Sequence, residues 1–344
     1  MAKFDQANDI KVGVIGYGGA FNMGQQHLNE MKKAGMTPVS VADLDEERLQ
    51  VAEEDFPGIE TYTSSAEMLD KSDVNLVVII TPHNTHAELA LQCLNAGRHV
   101  VCEKPLAITT EECDQMIEAA RSNDVILSTY HNRHWDGCIL RAVEQIRDQG
   151  VIGEVLRIEA HMGGYGQPGD WWRSSKSISG GILYDWGVHL LEYSLQILDG
   201  NITEVSGYAV SGHWGSETKW KEDTNEDEAT AIVRFDNGQL LSLRMTSIDS
   251  NPKEGQLEIT GTNGTYIFEG GSWKTITHEN GTQVIRKGNN PQSEGWRFYQ
   301  NIADHLTGDE PLIITAEWAR RPIHILDLAN KSAQSGEAVE ATYQ

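Results

Sequence analysis

The first 130 residues repeat one pattern: a short β-rich run, a turn, then a helix start that carries its own cap. Lys11–Ile15, Pro38–Ala42, Leu76–Thr81, Arg98–Cys102 and Val125–Tyr130 read as strands. Among the helix starts between them, Ser64-x-x-Glu67, Thr85-x-x-Glu88 and Thr109-x-x-Glu112 each fit the capping box, in which hydroxyl and carboxylate satisfy orphan amide donors reciprocally. The run at 76–81 is almost continuously apolar, as suits a strand covered on both faces. Few architectures accept such alternation. It predicts an α/β fold with a parallel, doubly wound sheet.

Past residue 130 the rhythm changes. The segment 138–148 looks helical, a strand follows at 154–161, and a second helix runs from about 181 to 198. Asn237-Gly238, Asn263-Gly264 and Asn280-Gly281 then sit between alternating apolar and polar runs. Asn-Gly readily takes the positive φ angles of a tight hairpin turn, so this half should hold a mainly antiparallel sheet. A helix near 316–335 closes the chain, and the segment 215–228, with eight charged residues in fourteen, reads as a solvated loop. At 344 residues the chain is long for a single core. Two domains are expected, 1–132 and 133–344, with the last helix free to pack back on the first.

Charge narrows the partners. Lys and Arg number 27 against 51 Asp and Glu, a net charge of −24. Such a surface repels phosphate backbones and anionic headgroups, which argues against nucleic-acid or membrane binding. The residues Met1 to Asp9 are polar, and the four cysteines show no framework spacing, so a reducing cytoplasm is the expected compartment. His131-x-x-His134-x-x-x-Cys138 has metal-like spacing but no second cluster to complete a site, and no metal is expected.

Three constellations carry chemistry. The first strand runs into Gly16-x-Gly18, where the chain can turn tightly and approach a pyrophosphate. Asp43 ends the second strand 25 residues after Gly18. A carboxylate there accepts both ribose hydroxyls and repels a 2′-phosphate, which favours NAD over NADP. Thr81-Pro82 with His86, and Glu103-Lys104-Pro105, follow the next strands at the carboxyl ends where open α/β sheets bind ligands. His83 reads as an exposed loop residue. The third constellation is Gly180-Gly181 followed by Asp185, His189 and Glu192, which would share one face of a helix. A neutral His beside a carboxylate is a general base for a hydroxyl proton, although a capped helix with a core His accounts for the spacing equally well. Trp171, Trp172 and Arg173 with Tyr165 offer aromatic faces suited to sugar C–H surfaces.

These motifs, in this order, resemble the glucose–fructose oxidoreductase / inositol dehydrogenase / MocA family of NAD(P)-dependent oxidoreductases. The resemblance spans nearly the whole chain. It implies an N-terminal Rossmann domain and a C-terminal domain whose open sheet commonly makes a dimer or tetramer interface. It further implies Lys104 and His189 as the catalytic pair, with Asp185 binding or orienting a polyhydroxy substrate beside Tyr165, Trp172 and Arg173. The cofactor would be held by Gly16, Gly18, Gly19, Ala20, Phe21, Asp43, Thr81, Pro82, His86, Glu103 and Lys104. In relatives the bond corresponding to Lys104–Pro105 is often cis. Phe21 departs from the family by replacing the third loop glycine, and Glu192 stands where relatives often carry Asp. The leading expectation is NAD-dependent oxidation of a secondary hydroxyl of a sugar, sugar derivative or inositol. A redox-neutral glycoside hydrolase or lyase using transient oxidation is the alternative, and a non-catalytic NAD-binding sensor is the third.

Overall fold

The computed structural model describes residues 3–18, 22–308 and 310–342. It contains two compact units: Met1–His131 with Trp296–Arg320, and Asn132–Gly295 with Arg321–Gln344.

In the first unit, strands β1 (Lys11–Ile15), β2 (Thr37–Ala42), β3 (Glu60–Tyr62), β4 (Leu76–Ile79), β5 (His99–Cys102) and β6 (Leu127–Thr129) alternate with helices α1 (Met23–Lys33), α2 (Glu46–Asp55), α3 (Ser65–Lys71), α4 (His86–Asn95) and α5 (Thr110–Ser122). The strands pair in the order β3-β2-β1-β4-β5-β6, every pair parallel. All four side chains of β4 are fully buried, as its continuous apolar run requires. Strand β3 has no counterpart among the sequence-predicted strands. It is a three-residue sheet edge with no fully buried side chain, so no apolar run announces it.

The three capping motifs turn out unequal. Thr109 forms the full box: its hydroxyl accepts the Glu112 N–H at 3.2 Å, and the Glu112 carboxylate accepts the Thr109 N–H at 2.9 Å. Ser64 accepts from the Glu67 N–H at 3.2 Å. Thr85 makes no side-chain cap, and there the expectation fails. Its hydroxyl donates instead to the Pro82 carbonyl at 2.7 Å, because the loop folds into a short 3₁₀ turn, His83–Thr85, before α4 begins.

In the second unit, α6 (Gly137–Val143) runs into a π-helical turn, Glu144–Asp148, and then come β7 (Val155–Gly163), α7 (Lys176–Ser179) and α8 (Gly187–Ile197). Strands β8 (Ile202–Val210), β9 (Glu228–Phe235), β10 (Leu240–Thr246), β11 (Leu257–Gly261), β12 (Gly264–Phe268), β13 (Ser272–Glu279) and β14 (Thr282–Asn289) follow. Helix α9 (Arg297–Thr307), absent from the sequence reading, belongs to the first unit. The chain ends with α10 (Ala316–Ser335) and β15 (Val339–Glu340). The nine strands order as β14-β13-β12-β11-β7-β10-β9-β8-β15, and only β7 with β10 is parallel.

One face of this sheet is the unit's core. Ile158, Ala160, Ala231, Val233, Leu241, Leu243, Ile259 and Tyr266 are buried on it, and α8 packs against β7 and β10. The Asn-Gly turns differ in kind. Asn280 and Gly281 both take positive φ (51° and 79°) and join Glu279 to Thr282, a two-residue primed turn. At Asn237-Gly238 only the glycine is left-handed (φ 85°), and at the third site Thr262 and Asn263 make the turn while Gly264 already opens β12.

The 215–228 segment is only in part the solvated loop its charge suggests: Glu217, Lys219, Lys221 and Glu222 are exposed. Thr218, Thr224, Glu226 and Asp227 are buried. Asp227 accepts the backbone N–H groups of His213 (2.7 Å) and Trp214 (3.1 Å), and Asp223 caps Ser177 N–H at 2.9 Å. These carboxylates serve as acceptors for backbone that has no ladder partner.

Candidate active site

The first unit gathers its candidates behind the carboxyl ends of β1, β2, β4 and β5. Gly16 takes φ 94°, and a Cβ there would lie 2.5 Å from the Ile80 carbonyl oxygen, so only glycine fits. A Cβ on Gly18 would meet none of the described residues within 4 Å. Gly19, Ala20 and Phe21 lie outside the described residues. Helix α1 still needs a glycine for close packing and has one at Gly24, where a Cβ would strike the Tyr17 ring at 2.5 Å.

Asp43 is held by two backbone donors: Tyr17 N–H reaches Oδ2 at 2.5 Å and Asp45 N–H reaches Oδ1 at 2.9 Å. Each oxygen keeps acceptor capacity beyond those bonds. A glycine turn with a preset carboxylate beside it fits a dinucleotide's pyrophosphate and adenosine ribose.

Behind β4, Thr81 Oγ1 and Thr85 Oγ1 lie 2.7 Å apart. His86 is fully buried, with Nδ1 at 2.8 Å from the Pro105 carbonyl and Nε2 at 2.9 Å from that of Thr81. It is a strut between the turn after β4 and the turn after β5. His83, expected to be exposed, is 2% exposed and lies 5.6 Å from the His86 ring, because the 3₁₀ turn tucks it inward. The Lys104–Pro105 bond is cis. Glu103 accepts the Lys104 N–H at 2.9 Å on one oxygen and meets His27 Nε2 at 3.0 Å on the other. Burial alone would raise the Glu103 carboxyl, but the His27 bond and the neighbouring positive charges outweigh it and hold the group below the usual carboxylate range.

In the second unit, the paired glycines deliver the acid. Gly180 and Gly181 take φ 92° and 118°, and a Cβ on Gly181 would lie 2.8 Å from Glu226 Oε2. That oxygen accepts the Ile182 N–H at 3.0 Å, while Lys176 Nζ sits 2.6 Å from Glu226 Oε1. The expected shared helical face of Asp185, His189 and Glu192 does not form. Helix α8 starts at Gly187, leaving Asp185 in the preceding turn. Asp185 pairs with Arg173, whose guanidinium lies 5.4 Å from the Trp171 ring centre and 5.0 Å from that of Trp172. His189, 5% exposed, stands on the first turn of α8 with its ring 5.5 Å from Trp186.

Glu192 is buried in another partnership, 2.5 Å from His134 Nδ1 and within 3.2 Å of the Gln196 amide. Arg133 lies over the Trp186 ring at 4.7 Å and pairs with Asp136 at 2.9 Å. Sequence reasoning considered His134 only as a metal ligand and passed over Arg133. A basic pair flanked by aromatic and acidic residues was the available signal. Tyr165 is exposed, its ring 5.4 Å from that of Trp214 and its hydroxyl 3.2 Å from His213 Nε2. Among the described residues no three His, Cys, Asp or Glu side chains gather as metal ligands, and the four cysteines are buried free thiols.

A six-stranded parallel sheet in this order, with a glycine turn after β1 and a fixed carboxylate after β2, defines a dinucleotide-binding Rossmann domain. Comparison with known proteins agrees. Residues 10–131 match the oxidoreductase family's NAD-binding Rossmann fold, and residues 140–267 match the GFO/IDH/MocA C-terminal domain. The chain belongs to the Gfo/Idh/MocA family of NAD-binding oxidoreductases. It is 37% identical over 144 residues to an uncharacterised oxidoreductase of Schizosaccharomyces pombe, a match covering 41% of this chain and 39% of that protein. It is 30% identical over 233 residues to the myo-inositol 2-dehydrogenase of Thermotoga maritima, covering 67% of this chain and 66% of the other. A solved NAD-binding protein from Listeria innocua superimposes with a TM-score of 0.79 at 26% identity, over 96% of each chain. Among the described residues no helix is long and apolar enough to cross a membrane.

Proposed function

We propose that this protein oxidises a secondary hydroxyl of a sugar, sugar derivative or inositol, using NAD in preference to NADP. The observation that carries the substrate class is Asp185, a carboxylate paired with an Arg173 that lies over two indole rings, with the His189 imidazole beside Trp186 a few residues on in the same segment of the second unit. Carboxylate and guanidinium suit vicinal hydroxyls, and indoles suit the C–H faces of a ring. The myo-inositol 2-dehydrogenase relative supports the same class.

NAD would be held by the Gly16–Gly18 turn, the Asp43 carboxylate and the turns at Thr81-Pro82 and Glu103-Lys104, and when bound it supplies the acceptor for a hydride from carbon. Every other step falls to this chain's side chains. His189 takes the hydroxyl proton as general base. Lys104 donates a hydrogen bond to substrate oxygen and stabilises alkoxide character as it develops. Asp185 accepts from a neighbouring hydroxyl and sets the ring's orientation, with Arg173, Trp172 and Tyr165 shaping the subsite. His86 supports the cofactor turns from beneath. Asp43 carries the coenzyme preference, because a 2′-phosphate would meet its fixed negative charge.

We also infer a homodimer or homotetramer in a reducing cytoplasm. Tyr208, Val210, Leu240 and Ile285 are exposed on the sheet face opposite the core, sharing that face by strand register.

The test is absorbance of reduced nicotinamide with NAD and a panel of inositols, aldoses and glycosides. A rise with one polyol class is the expected result. Consumption of a glycoside with no reduced coenzyme would replace this reading with redox-neutral cleavage. NAD binding without turnover of any panel member would favour the sensor.

A further inference from the structure

The one fully buried imidazole of α1 lies behind the loop that carries Lys104. His27 has no exposed surface. Its Nε2 is 3.0 Å from Glu103 Oε1 and its Nδ1 is 2.5 Å from the Tyr299 hydroxyl on α9. The other Glu103 oxygen accepts the Lys104 N–H at 2.9 Å. Tyr130 closes the arrangement: its ring stands edge-on to His27 at 4.3 Å and is stacked 5.6 Å from Tyr299, while its hydroxyl donates to Glu30 at 2.6 Å.

A carboxylate with one oxygen on its neighbour's backbone and the other on a buried donor has few orientations left. The donor is equally constrained. A carboxylate can only accept, so Nε2 carries the N–H that Glu103 meets, and Nδ1 faces the Tyr299 hydroxyl. Three elements far apart in sequence, α1, the β5 loop and α9, thus meet in one directional chain.

We propose that His27 is a positioning residue for Lys104, holding the Glu103–Lys104 turn through a Tyr299–His27–Glu103 hydrogen-bond chain. Its effect on turnover rests on the role proposed above for Lys104; its effect on the loop does not. Removing the Nε2 donor frees the Glu103 carboxylate to rotate, and the Lys104 amide then loses its fixed acceptor.

The test compares His27→Phe, His27→Gln and Tyr299→Phe with the natural protein by hydrogen–deuterium exchange of the peptide covering residues 102–107. Gln places an amide donor near the imidazole Nε2 position, whereas Phe fills the space with no donor. His27→Phe should raise exchange in this peptide about tenfold or more while the β1 peptide stays unchanged, and His27→Gln should remain within about threefold of the natural protein. Equal exchange in all variants overturns the proposal, as does an equal rise in the Phe and Gln variants. Should His27→Phe not fold, Tyr299→Phe keeps the ring, removes only the hydroxyl, and should still raise exchange at 102–107; exchange at the natural rate there overturns the proposal. Turnover with whichever polyol the panel identifies gives the second readout. A fall in kcat of about tenfold in His27→Phe, with coenzyme affinity within about threefold and rescue by Gln, is expected. A loosened loop with unchanged kcat refutes the catalytic consequence. Exchange needs no substrate, so a panel that yields no turnover would count against the proposed activity and leave the loop result standing.

Discussion

At the scale of single residues, each unit holds candidate side chains whose freedom has already been removed. Asp43 is fixed by two backbone donors, Asp185 by a guanidinium, and Glu103 by an amide and an imidazole. Preset groups lose little entropy on binding and need no reorganisation as charge develops. Lys104→Ala is expected to lower kcat by about a hundredfold while changing NAD affinity less than about threefold, read from coenzyme absorbance and from quenching of tryptophan fluorescence. Equal losses in both would remove the assigned role. Asp43→Ser should raise KM for NAD about tenfold or more and narrow the gap to NADP, because the ribose acceptor and the repelling charge go together. Unchanged coenzyme preference in that variant would show that selection lies elsewhere.

Secondary-structure elements succeed or fail on how their loose ends are satisfied. Strand β5 begins with His99, buried and accepting the Ile126 N–H at 3.0 Å. Burial, with the Lys3 charge second, pulls its imidazole down to about 4 from an ordinary 6.5. Between those values the unfolded chain binds the proton and the folded chain does not, so stability rises with pH across this window. It is fully present above about 6.5 and falls progressively toward 4, by up to about 3 kcal/mol. Urea melts at pH 7 and pH 4.5 should show this loss, and His99→Asn, which keeps an acceptor for Ile126, should reduce it. The acidic 215–228 segment makes the opposite point about charge. Asp227→Asn should cost about 2 kcal/mol, since the carboxylate satisfies two backbone donors, one of them buried. A loss below about 0.5 kcal/mol would return the segment to a solvated role.

For the molecule as a whole, a charge of −24 disfavours casual association, so any stable assembly needs a specific apolar face. The face proposed for assembly, the open side of the nine-stranded sheet, exposes Tyr208, Val210, Leu240 and Ile285 among charged residues. Light scattering should give two or four times the 38.1 kDa chain mass, and Ile285→Glu or Tyr208→Glu should reduce it to one. A natural protein already at the single-chain mass would overturn the inferred assembly.

Much of this was readable from the amino acids. The doubly wound sheet showed in strand–helix alternation, the Thr109 cap in a local box, and the hairpin at Asn280-Gly281 in turn chemistry. All of these are decided within a few residues by sterics and hydrogen-bond geometry, so the local sequence suffices. What required tertiary structure was every outcome set by a distant partner. Thr85 lost its cap to a loop, and strand β3 exists only because β2 offers it an edge. Glu226 and Asp227 of the acidic segment are buried where they accept from backbone N–H groups. Asp185 left the helix because α8 begins two residues later, and Glu192 turned to His134. His27 gained its place from Tyr299, 272 residues away. No local pattern encodes such pairings, because burial energy and hydrogen-bond satisfaction depend on which surfaces meet once the chain is packed.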